Sequence, residues 1–193
     1  MDETKTIRAF FAIELDNNLR EQFKKIQQDL ITPDCTIKWV DPNKLHLTLK
    51  FICHFPLQQI HASKDILLKI CQEHPSILFN FNVLGRFPEK GKPTVIWVGS
   101  SEVGLSSCLR KLAQAIENAL IPLGFAKEER VFTPHVTLGR VKTARKNSTL
   151  TKKIETYKIG DNLKQTIDRV TLFQSTLTPA GPIYKTLATF PLR

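Results

Sequence analysis

Two histidines in this chain, His46 and His135, are each followed two positions later by a threonine, Thr48 and Thr137. The copies read "HLTLKF" and "HVTLGR", so an apolar residue, a threonine and a leucine follow the imidazole both times. A pair of imidazoles suits displacement at a phosphate, where one takes a proton from the attacking oxygen while the other gives a proton to the leaving oxygen. An unperturbed pKa of about 6.5 lets one ring be neutral and its partner protonated near neutrality. The two hydroxyls can donate hydrogen bonds to non-bridging phosphate oxygens, where negative charge builds in the transition state. This scheme calls for no metal and no cofactor.

Such residues act together only if the backbone aims them together. "LHLTLKFIC" and "FTPHVTLGRV" both read as strands, and alternation then sends His46 and Thr48 to one face while Leu45, Leu47, Leu49 and Phe51 go to the other. His135 and Thr137 stand in the same relation to Val136 and Leu138. Each unit anchors itself through its apolar residues and presents an imidazole and a hydroxyl on the opposite face. Two units facing one another make a four-residue polar site.

Around these strands the pattern predicts a strand at "TIRAFFAIEL", then a helix capped by Asp16 with Leu19, Phe23, Ile26 and Leu30 at helical spacing. "TIKWV" and the turn "DPNK" precede the first motif strand. A second helix is expected over Leu57 to Glu73, and one strand over "ILFNFNVLGRF" with Ile77, Phe79, Phe81 and Val83 alternating. "TVIWVGS" leads to a third helix from Glu102 to Leu120, and the chain closes on an antiparallel pair, "IDRVTLFQSTL" and "IYKTLATFPL". Short links between strands and helices imply an α+β fold. No linker divides the halves, which points to two lobes sharing one cleft within a single domain, residues 1–193.

Composition narrows the partner. With 28 Lys plus Arg against 18 Asp plus Glu, the formal charge is +10, which favours a polyanion such as nucleic acid. The opening "MDETKTIRAFFAIELD" matches neither a secretory signal nor a membrane span, so the expectation is a cytoplasmic protein with no membrane partner. Cys35, Cys53, Cys71 and Cys108 show no metal-ligand spacing and are expected to be reduced thiols packed as small hydrophobes. A monomer is expected.

Several neighbours invite a role. Arg140 could clamp phosphate bidentately, but its parity on a regular strand is wrong unless Gly139 marks a bulge. Lys50 shares parity with His46, and Lys44 precedes it; either could line an RNA path. Phe132 and Tyr184 could stack on a base. His54, His61 and His74 lack a threonine two positions on and are read as structural or exposed. The stretch from Lys142 to Lys153 reads as a mobile, basic surface loop with room for a turn of helix.

With these residues in view the sequence resembles the 2H phosphoesterases, defined by two His-x-Thr/Ser-x motifs, and among them the RNA 2′,3′-cyclic phosphodiesterases, also called 2′-5′ RNA ligases. The resemblance runs through "RAFFAIEL", "WVDPNKLHLTLKFIC", "GRFPEKGKPTVIWVG", "FTPHVTLGRV" and "LFQSTLTPAGPIY". It implies a bilobal, pseudo-twofold fold with two antiparallel sheets flanked by helices around a central groove. It also implies metal-independent hydrolysis of an RNA terminal 2′,3′-cyclic phosphate to a 2′-phosphomonoester. By carry-over His46 is the proton donor, His135 the proton acceptor, and Thr48 and Thr137 hold phosphate oxygens. Two other readings stand beside it: a non-catalytic RNA-binding module, and reversible 2′-5′ ligation at the same site.

Overall fold

The computed structural model describes residues 5–143, 149–160 and 162–193. The apolar run near the start forms β1 (Thr6–Glu14), and the Asp16 carboxylate then accepts a hydrogen bond of 2.7 Å from the Leu19 amide, capping α1 (Asn17–Asp29). That cap satisfies one of the amide donors a helix start leaves unpaired. The chain continues through β2 (Thr36–Trp39), a short turn of 3₁₀ helix and β3 (His46–Pro56) to α2 (Ile60–Glu73). Next come β4 (Ile77–Asn80), β5 (Val83–Phe87), β6 (Val95–Gly99) and α3 (Val103–Leu120). The second motif opens β7 (His135–Thr143), followed by α4 (Thr149–Thr156), β8 (Lys164–Ile167) and the closing hairpin of β9 (Arg169–Thr178) and β10 (Gly181–Pro191).

All strand pairings among the described residues are antiparallel, and the architecture is α+β as the element order implies. The main sheet runs β10-β9-β1-β3-β7-β6-β5, with β2 beside β7, and β4 pairs with β8 in a small second sheet. Within the main sheet two groups of strands meet at a single registered pair, Leu47 with Val136. On one side lie β3, β1, β9 and β10; on the other lie β7, β6, β5 and β2. Each group carries one motif strand at its inner border.

Leu47 and Val136 are both 0% exposed, which anchors that join in the core. One buried cluster unites them with Leu19 and Phe23 of α1, Leu67 of α2, and Leu109, Leu112 and Ile116 of α3. Full burial of such a side chain contributes about 1.5–3 kcal/mol, so the helices hold the leucine face of both motif strands and leave the histidine face to the groove.

Three expectations are corrected. "ILFNFNVLGRF" is two strands in two sheets: the Phe81 amide bonds the Leu163 carbonyl and the Asn82 amide bonds the Gly99 carbonyl, so the chain changes partner there. Alternation alone does not reveal a change of partner. The segment from Lys142 to Lys153 contains the start of α4, with Lys153 Nζ donating to the Asp29 and Ile31 carbonyls; residues 144–148 lie outside the described residues. Of the cysteines only Cys71 is fully buried, its thiol pushed up to about 12 by burial, while Cys53 and Cys108 are exposed on a strand and a helix surface. All four are free thiols. No helix among the described residues is long and apolar enough to cross a membrane.

Candidate active site

Antiparallel register brings the two motifs together. Leu47 pairs with Val136, so the residues flanking that pair, His46 and Thr48 on β3 and His135 and Thr137 on β7, come to the same border between the two groups of strands. Side chains directly opposite on such strands have Cβ atoms about 4.5–5.5 Å apart, and diagonal neighbours about 7–8 Å. The two imidazoles thus stand on either side of the Leu47–Val136 pair, one on each motif strand. The row continues outward through Glu14 beside His46 and Trp97 beside Thr137.

Both rings are held the same way. His46 Nδ1 lies 2.8 Å from the Lys44 carbonyl oxygen, and His135 Nδ1 lies 2.7 Å from the Thr133 carbonyl oxygen. A carbonyl only accepts, so each Nδ1 carries hydrogen and donates, leaving each Nε2 free to take or give a proton. Aromatic rings fix the orientations. Phe10 stacks on His46 with centroids 4.7 Å apart, and Tyr184 meets it edge-on at 5.4 Å. Phe87 meets His135 edge-on at 5.1 Å, with Trp97 at 6.0 Å.

Burial among these rings penalises the charged imidazolium, so both histidines titrate below 6.5, against the opposing pull of their carbonyl partners. For His135 the Arg140 guanidinium depresses it further. For His46 the causes are burial and the Lys44 carbonyl. Tyr184 is raised above its ordinary value of 10.0 by burial, and Arg140 opposes that shift.

Arg140 reaches the site because β7 is bulged. Opposite β6 the register passes from Trp97–Thr137 to Ile96–Gly139, leaving Leu138 as the extra residue. Leu138 and Gly139 are both buried, and Arg140 returns to the face of Thr137, where it lines the groove. Gly139 is required by packing: a Cβ there would stand 2.7 Å from Trp39 and 2.9 Å from Ile37. The buried Gln27 amide of α1 secures the bend, donating to the Leu138 carbonyl at 2.9 Å and the Val40 carbonyl at 2.8 Å.

The first motif strand has the same irregularity. Against β1 the register passes from Ala12–Thr48 to Phe11–Lys50, with Leu49 as the extra residue. Here the bulge turns Lys50 inward: it is 8% exposed, and its Nζ donates to Glu117 Oε1 at 2.8 Å and to the Ala126 carbonyl at 2.9 Å. Lys50 is thus an internal tie to α3 and the following loop, correcting the expectation that it is either solvated or free to follow RNA. Glu117 Oε1 also accepts from the Glu128 amide at 2.6 Å. The residue that takes the outward position is Phe51, 40% exposed, with the Arg8 guanidinium 5.1 Å from its ring centre.

A cavity of about 810 Å³ opens on this face. Thr48, Thr137, His135 and Arg140 line it, with Phe51, Phe87 and Phe132 among its apolar wall. His46 stands beside it, half-buried between Phe10 and Tyr184. Phe132 also packs against the core. Lys44 offers its carbonyl to His46 while its ammonium lies 3.9 Å from Asp41. His54 and His61 are exposed, and His74 Nδ1 bonds the Ile70 carbonyl at 2.8 Å, so none of the three joins the site. Among the described residues no three His, Cys, Asp or Glu side chains group so as to hold a metal ion.

Gln27, Glu117 and Phe10 were not singled out from the sequence as site-supporting, whereas Gly139 was named there as the residue whose bulge would turn Arg140 to the site. A buried glutamine on a helix's apolar face is the one signal that could have marked Gln27. Glu117 and Phe10 gain their roles only through pairings far apart in the chain.

Comparison with known proteins places the family and the fold. A family model described as the 2′-5′ RNA ligase superfamily matches residues 15–178. A protein of Thermotoga maritima named RNA 2′,3′-cyclic phosphodiesterase is 34% identical over 94% of this chain and 93% of its own length. A protein of the same name from Methanocaldococcus jannaschii is 33% identical over 94% of this chain and 98% of its own. The crystal structure of E. coli LigT complexed with 3′-AMP superposes with a TM-score of 0.81 at 24% identity, covering 97% of this chain and 99% of that one. The crystal structure of a Thermus thermophilus protein, TT0787, gives a TM-score of 0.80 at 24% identity, covering 97% of this chain and 98% of that one. These two likenesses speak to the fold.

Proposed function

The chain belongs to the 2′-5′ RNA ligase superfamily, and from that premise we propose that it hydrolyses the 2′,3′-cyclic phosphate at an RNA end to a 2′-phosphomonoester, without a metal ion. The observation that carries this reading is the matched pair of imidazoles, each with Nδ1 committed to a backbone carbonyl and Nε2 available. The name shared by the relatives supports the substrate class.

In the proposed reaction His135 Nε2 takes a proton from water as its oxygen bonds to phosphorus. The P–O3′ bond breaks on the far side, and His46 Nε2–H passes its proton to O3′. Thr48 and Thr137 donate to the non-bridging oxygens, and Arg140 adds charge where it accumulates. The asymmetry of the site supports these roles. Arg140 favours a neutral ring at His135, as a base must be, and a bound phosphate anion favours the protonated form that a donor needs at His46.

The test is to incubate RNA ending in a 2′,3′-cyclic phosphate with the protein and EDTA. A 2′-phosphomonoester with a free 3′-hydroxyl is the expected product. Absence of turnover, or turnover only when a divalent ion is restored, defeats the proposal or its metal-free form respectively.

A further inference from the structure

On β2 and β7, Lys38 and Arg140 are registered directly opposite each other. They share a face: Ile37 and Trp39 pack towards the core, which turns Lys38 outward, and Arg140 lines the groove. Both are exposed. Like charges directly opposite on a sheet oppose folding, and sheets ordinarily separate them or interpose an acid. None of the ion pairs found among the described residues includes either side chain, whereas Lys50, Arg86 and Arg169 each have a carboxylate partner.

The rest of the groove is neutralised differently. Arg110, Lys127 and Arg130 in its lining stand near Glu128 and Glu129 in the sequence or the same lining, while Glu117 is taken by Lys50. On the opposite flank Phe51 occupies the position that Arg140 has in the second motif strand, and Arg8 is engaged on its ring. The uncompensated pair runs from Arg140 on the groove one strand outward, about 4.8 Å, to Lys38.

We infer that Lys38 and Arg140 form a subsite for the phosphodiester one nucleotide before the reacting end, so that the RNA strand leaves the groove over β7 and β2. This rests on the proposed reading of the site as one for RNA cyclic-phosphate ends. A bridging phosphate removes the repulsion between the two cations and converts it into two charge-assisted contacts. The subsite makes the protein favour oligonucleotides over a cyclic mononucleotide, which has no such phosphate.

The experiment compares adenosine 2′,3′-cyclic phosphate with a tetranucleotide ending in the same group, measuring kcat/KM for both. The unmodified protein is expected to prefer the tetranucleotide at least 10-fold. Lys38→Glu should reduce that preference to near unity through KM, and Lys38→Arg should restore it. For single strands each phosphate contact adds about 0.7 to the slope of log affinity against log salt, so Lys38→Gln should lower the slope by roughly that much. A preference unaffected by Lys38→Glu, or an equal loss on both substrates, overturns the inference while leaving the proposed reaction intact. Tetranucleotide binding that depends on Lys38 without turnover of either substrate defeats the reaction and preserves the subsite.

Discussion

Leu47 and Val136, each the residue after a motif histidine, pair with one another across the border between the two groups of strands. That pair joins the two groups of strands, and both motifs begin beside it. An antiparallel pair centred on the second motif position brings both motifs to one border of the sheet. Leu47→Ala should cost about 2–5 kcal/mol in unfolding free energy, because a fully buried leucine leaves a cavity. Chemical denaturation measures it; a loss below about 1 kcal/mol, under the usual range for such a truncation, would show that the join is not packed as described.

His46→Ala and His135→Ala should each lower kcat by about 10² to 10⁴ on a cyclic-phosphate oligonucleotide, with smaller changes in RNA affinity. If either variant keeps full turnover, that imidazole is not an acid or base here. A non-catalytic binding module predicts the contrary pattern, changed affinity with no turnover to lose.

Both imidazoles titrate below 6.5 in the free protein because burial penalises their charge. The value of kcat/KM should therefore peak on the acid side of 6.5 and decline towards neutrality as the donor loses its proton. A bound phosphate raises the donor's pKa, so the alkaline limb of kcat should lie at higher pH than that of kcat/KM. A kcat/KM optimum above neutrality would count against the assignment.

The same shifts set a stability dependence. The folded pKa lies below the unfolded value, so between the two the unfolded chain binds more protons, and stability rises with pH there. The contribution is present above pH 6.5 and is lost as pH falls through the folded pKa. The melting midpoint should drop as the solution is acidified from 6.5, and His46→Gln with His135→Gln should flatten that slope. An unchanged slope in the double variant would place the acid sensitivity elsewhere.

Gly139→Ala puts a methyl group 2.7 Å from the Trp39 ring. Overpacking of this kind costs about 1–3 kcal/mol, and relief requires the bulge to move, taking Arg140 with it. Lower stability together with a loss in kcat/KM resembling that of Arg140→Ala is expected. Wild-type kinetics in Gly139→Ala would show that Arg140 does not depend on the bulge.

Lys50→Met strands Glu117, whose side chain is 12% exposed, without its cation. Breaking a buried pair from one side costs about 3–5 kcal/mol, whereas replacing both partners with apolar residues is often near neutral. Unfolding curves of Lys50→Met, Glu117→Leu and the double variant should show this non-additivity. Additive losses would mean that the pair is screened by solvent.

The residues of the candidate site were legible in the sequence and the bends of their strands were not. His46, Thr48, His135 and Thr137 announced themselves by type, spacing and apolar flanks, and alternation predicted which residues they would share a face with. The same alternation misdirected Lys50 and left Arg140 undecided, because a bulge shifts parity by one and depends on partners far along the chain. Gly139 was a usable hint for one bulge; Leu49 gave none for the other. The break between β4 and β5 failed for a similar reason, since both halves alternate and only their partners differ.

The two bends are stitched by unlike threads. Gln27 binds the second with a neutral amide that no accessible pH can alter, while the first relies on a lysine and a carboxylate that must both stay ionised. Acid strong enough to protonate Glu117 will thus unpick the strand of His46 and leave that of His135 in place. Amide exchange at low pH would reveal the order, with β3 opening ahead of β7.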